Sequence, residues 1–422
     1  MSYKQLQKEM YINRIKYKAS MSEIATVLLL YLFVFQGTLI DWIPIVGYLD
    51  ELYALAAVPL TMYWIWLKGG VISVSKQSLR LTLCYMVFIL IGFLGSVIYQ
   101  FQPINYAVID LLLNVKFPLA ILTTVWLTVF RITEWRNELV RKNVKGIIIF
   151  LMILLVVDLA FGLSDGDVRY GFTSIDLIYH GTTYLAGVCV YLFGILLLNH
   201  ENRCLPYVCI LFVLMLATTR SKAIVSGVIW LFCYFWIIKK KKHIKIFHMA
   251  IGGLAGVFLA WQQIYYYYIQ LAGHSARSVL TLTAVEIAKD YFPVGTGYGT
   301  FANYVSGINY SPVYYLYDLH NHGEIGVNAR KFLSDTFWPM ILAQNGLFGT
   351  IFFLLFLLQL LIIIDKMHHY DIRLYAVCLG SFAYLLISSM AESAFVHPSS
   401  IPVAITLGFA LSSYKDSWRK NK

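Results

Sequence analysis

The sequence predicts an all-α polytopic membrane protein of about twelve transmembrane helices with one large extracytoplasmic loop. Three observations carry this: the balance of residue types, a series of apolar runs of bilayer length, and the sidedness of the positive charge. Of 422 residues, 59% are hydrophobic and only 13% charged, against roughly a quarter charged in soluble domains. A helix crosses the hydrocarbon core in roughly 20 apolar residues, whereas a membrane β-barrel shows alternating segments of about 10. Long apolar runs such as 352–364 fit the helix and exclude the barrel.

Apolar runs set against charged or turn-rich breaks place spans at 22–40, 50–67, 79–99, 104–130 and 144–163. Further spans follow at 180–198, 204–219, 221–238 and 246–268, and after a long gap at 336–364, 371–391 and 395–413. About twenty polar and basic residues precede the first run, which lacks a small-residue cleavage site and so reads as a retained span. The chain divides into residues 1–270 with spans one to nine, an extracytoplasmic loop at 271–335, and residues 336–422 with spans ten to twelve.

Cytoplasmic loops carry an excess of Lys and Arg. With the amino terminus inside, 25 of the 33 basic residues fall on the inner side, and Lys116 lies within a span. Both termini are therefore expected in the cytoplasm. The net charge of +11 is topological, sited where anionic membrane lipid lies, and needs no nucleic acid partner. The six cysteines fall in or at the edge of spans, without a disulfide framework or zinc spacing. Neither a metal nor another cofactor is expected.

Connections longer than about 15 residues are usually functional or disordered. The segment 271–335 is rich in Tyr, Phe and Gly, and its stretch 278–290 has the pattern of an amphipathic helix, so it reads as an ordered cap over the spans. Its Gly295, Gly297 and Gly299 stand too close together for a dinucleotide fingerprint and have no Rossmann unit around them. A turn that needs positive φ or close backbone approach is the better reading.

Basic residues on the outer face are few, so Arg169, Arg220, Lys222 and Arg277 each need a reason. A guanidinium at the membrane surface suits a phosphate or pyrophosphate oxygen, because its planar fork of donors stays charged. An interfacial anchor or a surface ion pair is the alternative. In the loop, His320, Asn321 and His322 precede Glu324, and Asp335 stands just before the tenth span. Histidine is a natural general base near neutral pH. His-x-His also invites a metal, but the ligand spacing is weak, and polar loop residues bonded to their own backbone remain an alternative. Asp110, Lys116 and Asp158 lie at membrane depth, where an ionisable group needs a partner. Asp110 and Lys116, six apart, sit on different helix faces and are not an obvious pair with each other.

Several local patterns run in order: Thr218-Thr219-Arg220-Ser221-Lys222-Ala223 heading a span, Arg277-Ser278 before a helical stretch, and the run from Asp290 through Pro293 and the three glycines to Phe301. His320-Asn321, Asp335-Thr336-x-Trp338 and a turn at Gln344-Asn345-Gly346 follow. With the span layout, this ensemble resembles the bacterial O-antigen and capsular polysaccharide polymerases (Wzy-like) and the related O-antigen ligases, over roughly 170–353. The family's Arg-x-Gly-Phe is matched by Arg169 to Phe172, whereas its His-Pro-Asn is not matched at His180-Gly181-Thr182.

The resemblance implies a GT-C-like enzyme of the cytoplasmic membrane. Such an enzyme joins undecaprenyl-pyrophosphate-linked repeat units on the outer face, often alongside a chain-length regulator, and apparently without metal. It also implies that Arg220 and Arg277, flanked by Arg169 and Lys222, hold the pyrophosphate and that His320 takes the acceptor proton. His322 beside it leaves the choice of base open, with Asn321 and Asp335 as further candidates. Two other functions remain: a ligase that transfers polymer to a lipid A core, and a flippase for lipid-linked oligosaccharide.

Overall fold

In lipid every backbone N–H and C=O has to be paired within the protein, which leaves long apolar runs little choice but helix. The computed structural model describes residues 20–67, 76–125, 132–164, 166–169, 171–199, 203–244, 265, 274–330 and 332–420. Among these, the only sheet is a two-stranded ribbon of β1 (Val168–Arg169) and β2 (Phe172–Thr173). The longer helices are α1 (Met21–Leu39), α2 (Leu49–Leu67), α3 (Lys76–Tyr99), α4 (Ile104–Thr123), α5 (Glu138–Phe161) and α6 (Thr182–Leu198). They continue as α7 (Leu205–Ala217), α8 (Ser221–Phe232), α9 (Ala276–Asp290), α10 (Trp338–Lys366), α11 (Ile372–Ser389) and α12 (Ser400–Lys420).

Among the described residues, eight helical segments are long and apolar enough to cross a membrane: α1 to α5, α8 with its continuation to Lys239, α10 and α11. Shorter apolar helices, α6, α7 and Ser400–Ser413 of α12, stand where the sixth, seventh and twelfth spans are expected. The basic tail at 1–19, nearly all of the expected ninth span at 246–268, and Lys331 lie outside the described residues. Polar caps set several ends. Ser20 and Glu23 form a capping box before α1, the Asn137 side chain accepts from Val140 N–H, and Gly162 closes α5 in the left-handed region. The Asp371 side chain caps α11. The fourth helix stops at Thr123, short of the expected 130, and the twelfth starts at Ser400, later than the expected 395.

Helix α6 is buried on nearly every side, between α7, α11 and α12. Trp230 of α8 stacks on Phe193 of α6 at 5.3 Å between ring centroids, and Gly380 of α11 gives the indole room. Around this centre α12 packs on α4, α10 on α3, and α9 on α10. Connections expected on the same side of the membrane meet at the same end of the bundle. At one end Arg136 pairs with Asp371 at 2.5 Å, Arg373 donates to the Asn199 carbonyl at 2.9 Å, and His243 meets Asp365 at 2.8 Å. At the other end Asp167, Arg220, Arg277, Asp335 and Glu392 gather.

The expected turn at Gln344-Asn345-Gly346 is a break in α10, with Gly346 at φ 61° and ψ −170°. The break frees carbonyls, and the glycine run supplies donors to them. Thr296 N–H donates to the Ala343 carbonyl and Gly297 N–H to that of Gln344, both at 2.9 Å, while Phe348 N–H reaches the Pro293 carbonyl at 3.3 Å. Gly295, Gly297 and Gly299 have φ of 75°, 89° and 74°, as the turn reading requires. This part of the long segment differs from the expected cap, because it enters the bundle instead of lying over it. Tyr298 N–H donates to Ser96 Oγ at 2.8 Å, Gly299 N–H donates to Asp110 Oδ2 at 2.7 Å, and Gln102 Nε2 donates to the Gly299 carbonyl at 2.8 Å.

The membrane-depth ionisable groups all find partners. Asp110 bonds to the inserted loop, and Lys116 pairs with Asp50 and, at 3.2 Å, with Glu51. Asp158 accepts from Ser164 Oγ at 2.5 Å just beyond its own helix. Asp110 and Lys116 do not pair with each other.

Gly297→Ala is expected to destabilise the protein strongly. It adds a positive-φ strain of about 1–3 kcal/mol to a methyl that runs into the Ser96 backbone. Gly146→Ala, where a methyl meets nothing within 4 Å, serves as the control. Thermal unfolding followed by monodisperse size-exclusion recovery in detergent should separate the two, and equal recovery would refute the role given to the inserted loop.

Candidate functional site

The bundle end that holds Arg220 is built by connections from distant parts of the chain. Arg220 is the residue before α8, a position that frees its side chain from the helix ladder. Its Nε donates to Thr182 Oγ1 at the start of α6 at 2.9 Å, and its Nη2 lies 3.4 Å from Asp167. Arg169, on β1, reaches the same Asp167 carboxylate at 3.4 Å. Lys222, on the first turn of α8, pairs with Glu392 beyond α11 and donates to Thr183 Oγ1 at 3.1 Å. Arg277, on the first turn of α9, sits 3.6 Å from Asp335 and also approaches the Ala391 carbonyl.

These contacts form one electrostatic unit. Burial, then Arg169, lower the proton affinity of Arg220 from its ordinary value; Arg277 adds to this, while Asp167 and Asp335 oppose it. Burial raises the Asp335 pKa above the usual carboxylate range, with Arg277 and Lys222 pulling it down and Glu392 pushing it up. All four basic residues singled out in the sequence are thus brought together, and Asp335 with them. Among the described residues, their carboxylate partners are Asp167, Glu392 and Asp335. Guanidinium forks and an ammonium at the edge of a membrane bundle are suited to a multiply charged oxyanion.

The histidine pair lies on a separate part of the same long segment. His320 occupies the short 3-10 turn Leu319–Asn321, its ring stacked on Tyr315 at 4.9 Å and its Nε2 3.0 Å from Asn321 Nδ2. His320 Nδ1 is buried without a hydrogen-bond partner. His322 Nδ1 accepts from Glu324 N–H at 3.2 Å, and the Glu324 carboxylate accepts from Ala276 N–H at 2.7 Å. A carboxylate at a helix N-terminus is favourably placed, and here it moors the histidine loop beside Arg277. The ring of His320 faces Tyr315, and none of its described contacts reaches the cation cluster.

Compared with known protein families and with curated proteins, the sequence finds no match in either. The site therefore stands on its own geometry. That geometry adds residues the sequence reading passed over: Asp167, Thr182, Thr183, Glu392 and His397. Glu392 carried a usable signal, being the one charged residue in the short connection expected between the eleventh and twelfth spans.

His397 lies in the connection between α11 and α12, its Nδ1 2.8 Å from Ser399 Oγ and its ring edge-on to Tyr184 at 4.6 Å. Burial lowers its pKa from 6.5 to about 4; Glu392 opposes the shift, and Lys116 and Lys222 add to it. It is therefore neutral near pH 7.

Lys222→Met is expected to lower stability by about 3 kcal/mol, because it strands a largely buried Glu392 carboxylate. The double variant Lys222→Met, Glu392→Gln should regain most of that loss in a thermal-shift series, and no recovery would refute the pairing. A second expectation concerns acid. A group with a depressed folded pKa contributes stability above its unfolded pKa and loses it as pH falls toward the folded one. The parent's melting temperature should therefore drop more steeply between pH 6.5 and 4 than that of His397→Asn. Parallel curves would show that His397 is not held neutral.

Proposed function

We propose that the chain is a polysaccharide polymerase of the O-antigen and capsular type. On this reading it acts on the outer face of the bacterial cytoplasmic membrane, with twelve spans and both termini in the cytoplasm. The observation that carries the reading is the convergence of Arg169, Arg220, Lys222 and Arg277 on three carboxylates at one end of a membrane-type helix bundle. The resemblance over 170–353 supplies the substrate class, an oligosaccharide linked through pyrophosphate to undecaprenol.

In the proposed reaction an acceptor sugar hydroxyl attacks the anomeric carbon of the donor chain. The bond from that carbon to the pyrophosphate oxygen breaks, and the electron pair leaves with undecaprenyl pyrophosphate. Arg220 and Arg277 compensate the charge that grows on the leaving oxygen, an effect strongest in a site shielded from water. Arg169 and Lys222 hold the rest of the pyrophosphate. His320 takes the proton from the acceptor hydroxyl. No step calls for a nucleotide sugar or a metal. A chain-length regulator is the expected partner.

Arg220→Ala and Arg277→Ala should each leave the protein inserted and abundant while chain extension falls by about 100-fold or more, so that lipid-linked single repeats accumulate. His320→Ala should do the same. Gel sizing of the lipid-linked glycans reads this directly. Polymer of normal length in all three variants would overturn the assignment. Long polymer left on the lipid carrier after gene deletion would instead mark a ligase, and repeats stranded on the cytoplasmic side a flippase.

A further inference from the structure

Between the inserted glycine loop and the His320 turn, the outer segment contains a column of rings that runs from the interior to the surface. Phe301 lies 5.4 Å from Tyr314, Tyr314 lies 4.9 Å from Tyr310, and Tyr310 meets Tyr315 edge-on at 5.7 Å. Tyr315 then stacks on His320 with their planes 25° apart. The inner members are fixed. Tyr314 OH accepts from Ala302 N–H at 2.8 Å, and Tyr310 OH donates to the Ile325 carbonyl at 3.1 Å. Arg330 lies over the Tyr310 ring at 5.2 Å, held by the carbonyls of Val327 at 2.8 Å and Gly307 at 2.7 Å. Tyr315 itself is 51% exposed.

An exposed ring on a rigid stack, bordered by fixed polar groups, is an arrangement matched to a sugar. The C–H face of a pyranose packs on the ring while its hydroxyl edges bond to the donors and acceptors at the border. Here Asn321 stands beside His320, and Arg330 lies over the neighbouring Tyr310 ring. The lipid-facing parts of α3 and α5 are different, since their exposed side chains are apolar rows such as Leu83, Leu90 and Leu94 or Ile153 and Val156. Because Glu324 moors this loop to the first turn of α9, beside Arg277, the platform and the cation cluster are served by one short stretch of chain.

We infer that Tyr315, with His320 stacked on it, is a stacking platform for the oligosaccharide portion of the acceptor, engaging sugar units beyond the one that reacts. This rests on the polymerase reading and adds where the glycan lies. Preformed geometry keeps the ordering penalty of binding small, and a ring-to-sugar stack of about 1.4 kcal/mol corresponds to tenfold in affinity.

The test uses the full-length protein purified in nanodiscs and, as probe, the free repeat oligosaccharide released by mild acid hydrolysis from the host's lipid-linked glycan. This probe lacks pyrophosphate. Calorimetric titration is expected to show binding weakened about tenfold by Tyr315→Ala, kept within about twofold by Tyr315→Phe, and still weakened by Tyr315→Leu, which keeps bulk but loses the ring. Arg220→Ala should leave oligosaccharide binding unchanged. Full affinity in Tyr315→Ala, or rescue by Tyr315→Leu, would overturn the platform while leaving the polymerase reading intact. Normal polymer length in the arginine variants would instead overturn the reading on which it rests.

Discussion

The structure depends on pairing the backbone at the break in α10. A helix interrupted inside the bundle exposes buried carbonyls that water does not reach, so other protein groups have to pair them. The run 293–299 does this, lending its N–H groups to Ala343 and Gln344. The close approach needs glycine on both sides: Gly295 and Gly297 in the loop, and Gly92 and Gly95 on α3, where a methyl would meet Asn345, Tyr298 or the loop backbone. Asp110, Ser96 and Gln102 then complete the pairing of the loop itself. Because that loop is locked in place, so is the end of α9 that precedes it, and the rest of the long segment is built from a fixed base.

The cation cluster inherits this rigidity. Arg277 is carried by α9, which packs along the broken helix, and Asp335 stands just before that helix begins. Arg220 and Lys222 come from the start of α8, whose Trp230 is clasped between α6 and α11. Glu392 ends α11 and Thr182 begins α6. Arg220, Lys222, Arg277, Asp335 and Glu392 therefore sit at or beside the ends of packed helices, a placement that holds functional side chains well, whereas Arg169 and Asp167 belong to the ribbon connection.

Much of this was legible in the sequence. Apolar runs located the helices because bilayer thickness fixes their length, and the scarcity of basic residues on one side picked out the four that converge. Positive φ at Gly295, Gly297 and Gly299 was readable from glycine spacing without a nucleotide fold. What escaped were pairings between residues remote in sequence. Lys116 demanded a partner, yet Asp50 lies 66 positions away and reads as part of its own span. Asp167 and Arg220 are 53 apart. The insertion of the glycine run was likewise hidden, because its donors and the carbonyls of the α10 break are each unremarkable until the fold sets them side by side. The role given to His320 draws on the resemblance, while its side chain lies against Tyr315 and Asn321.

The cluster is also its own competitor. Asp167, Glu392 and Asp335 already occupy the guanidinium and ammonium groups, so an arriving oxyanion has to replace internal counter-ions before it is held. Affinity is then the small difference between two well-made sets of ion pairs. On the proposed reading, loss of the oxyanion lets the same carboxylates re-form their ion pairs, which suits a site that exchanges one ligand for the next many times over.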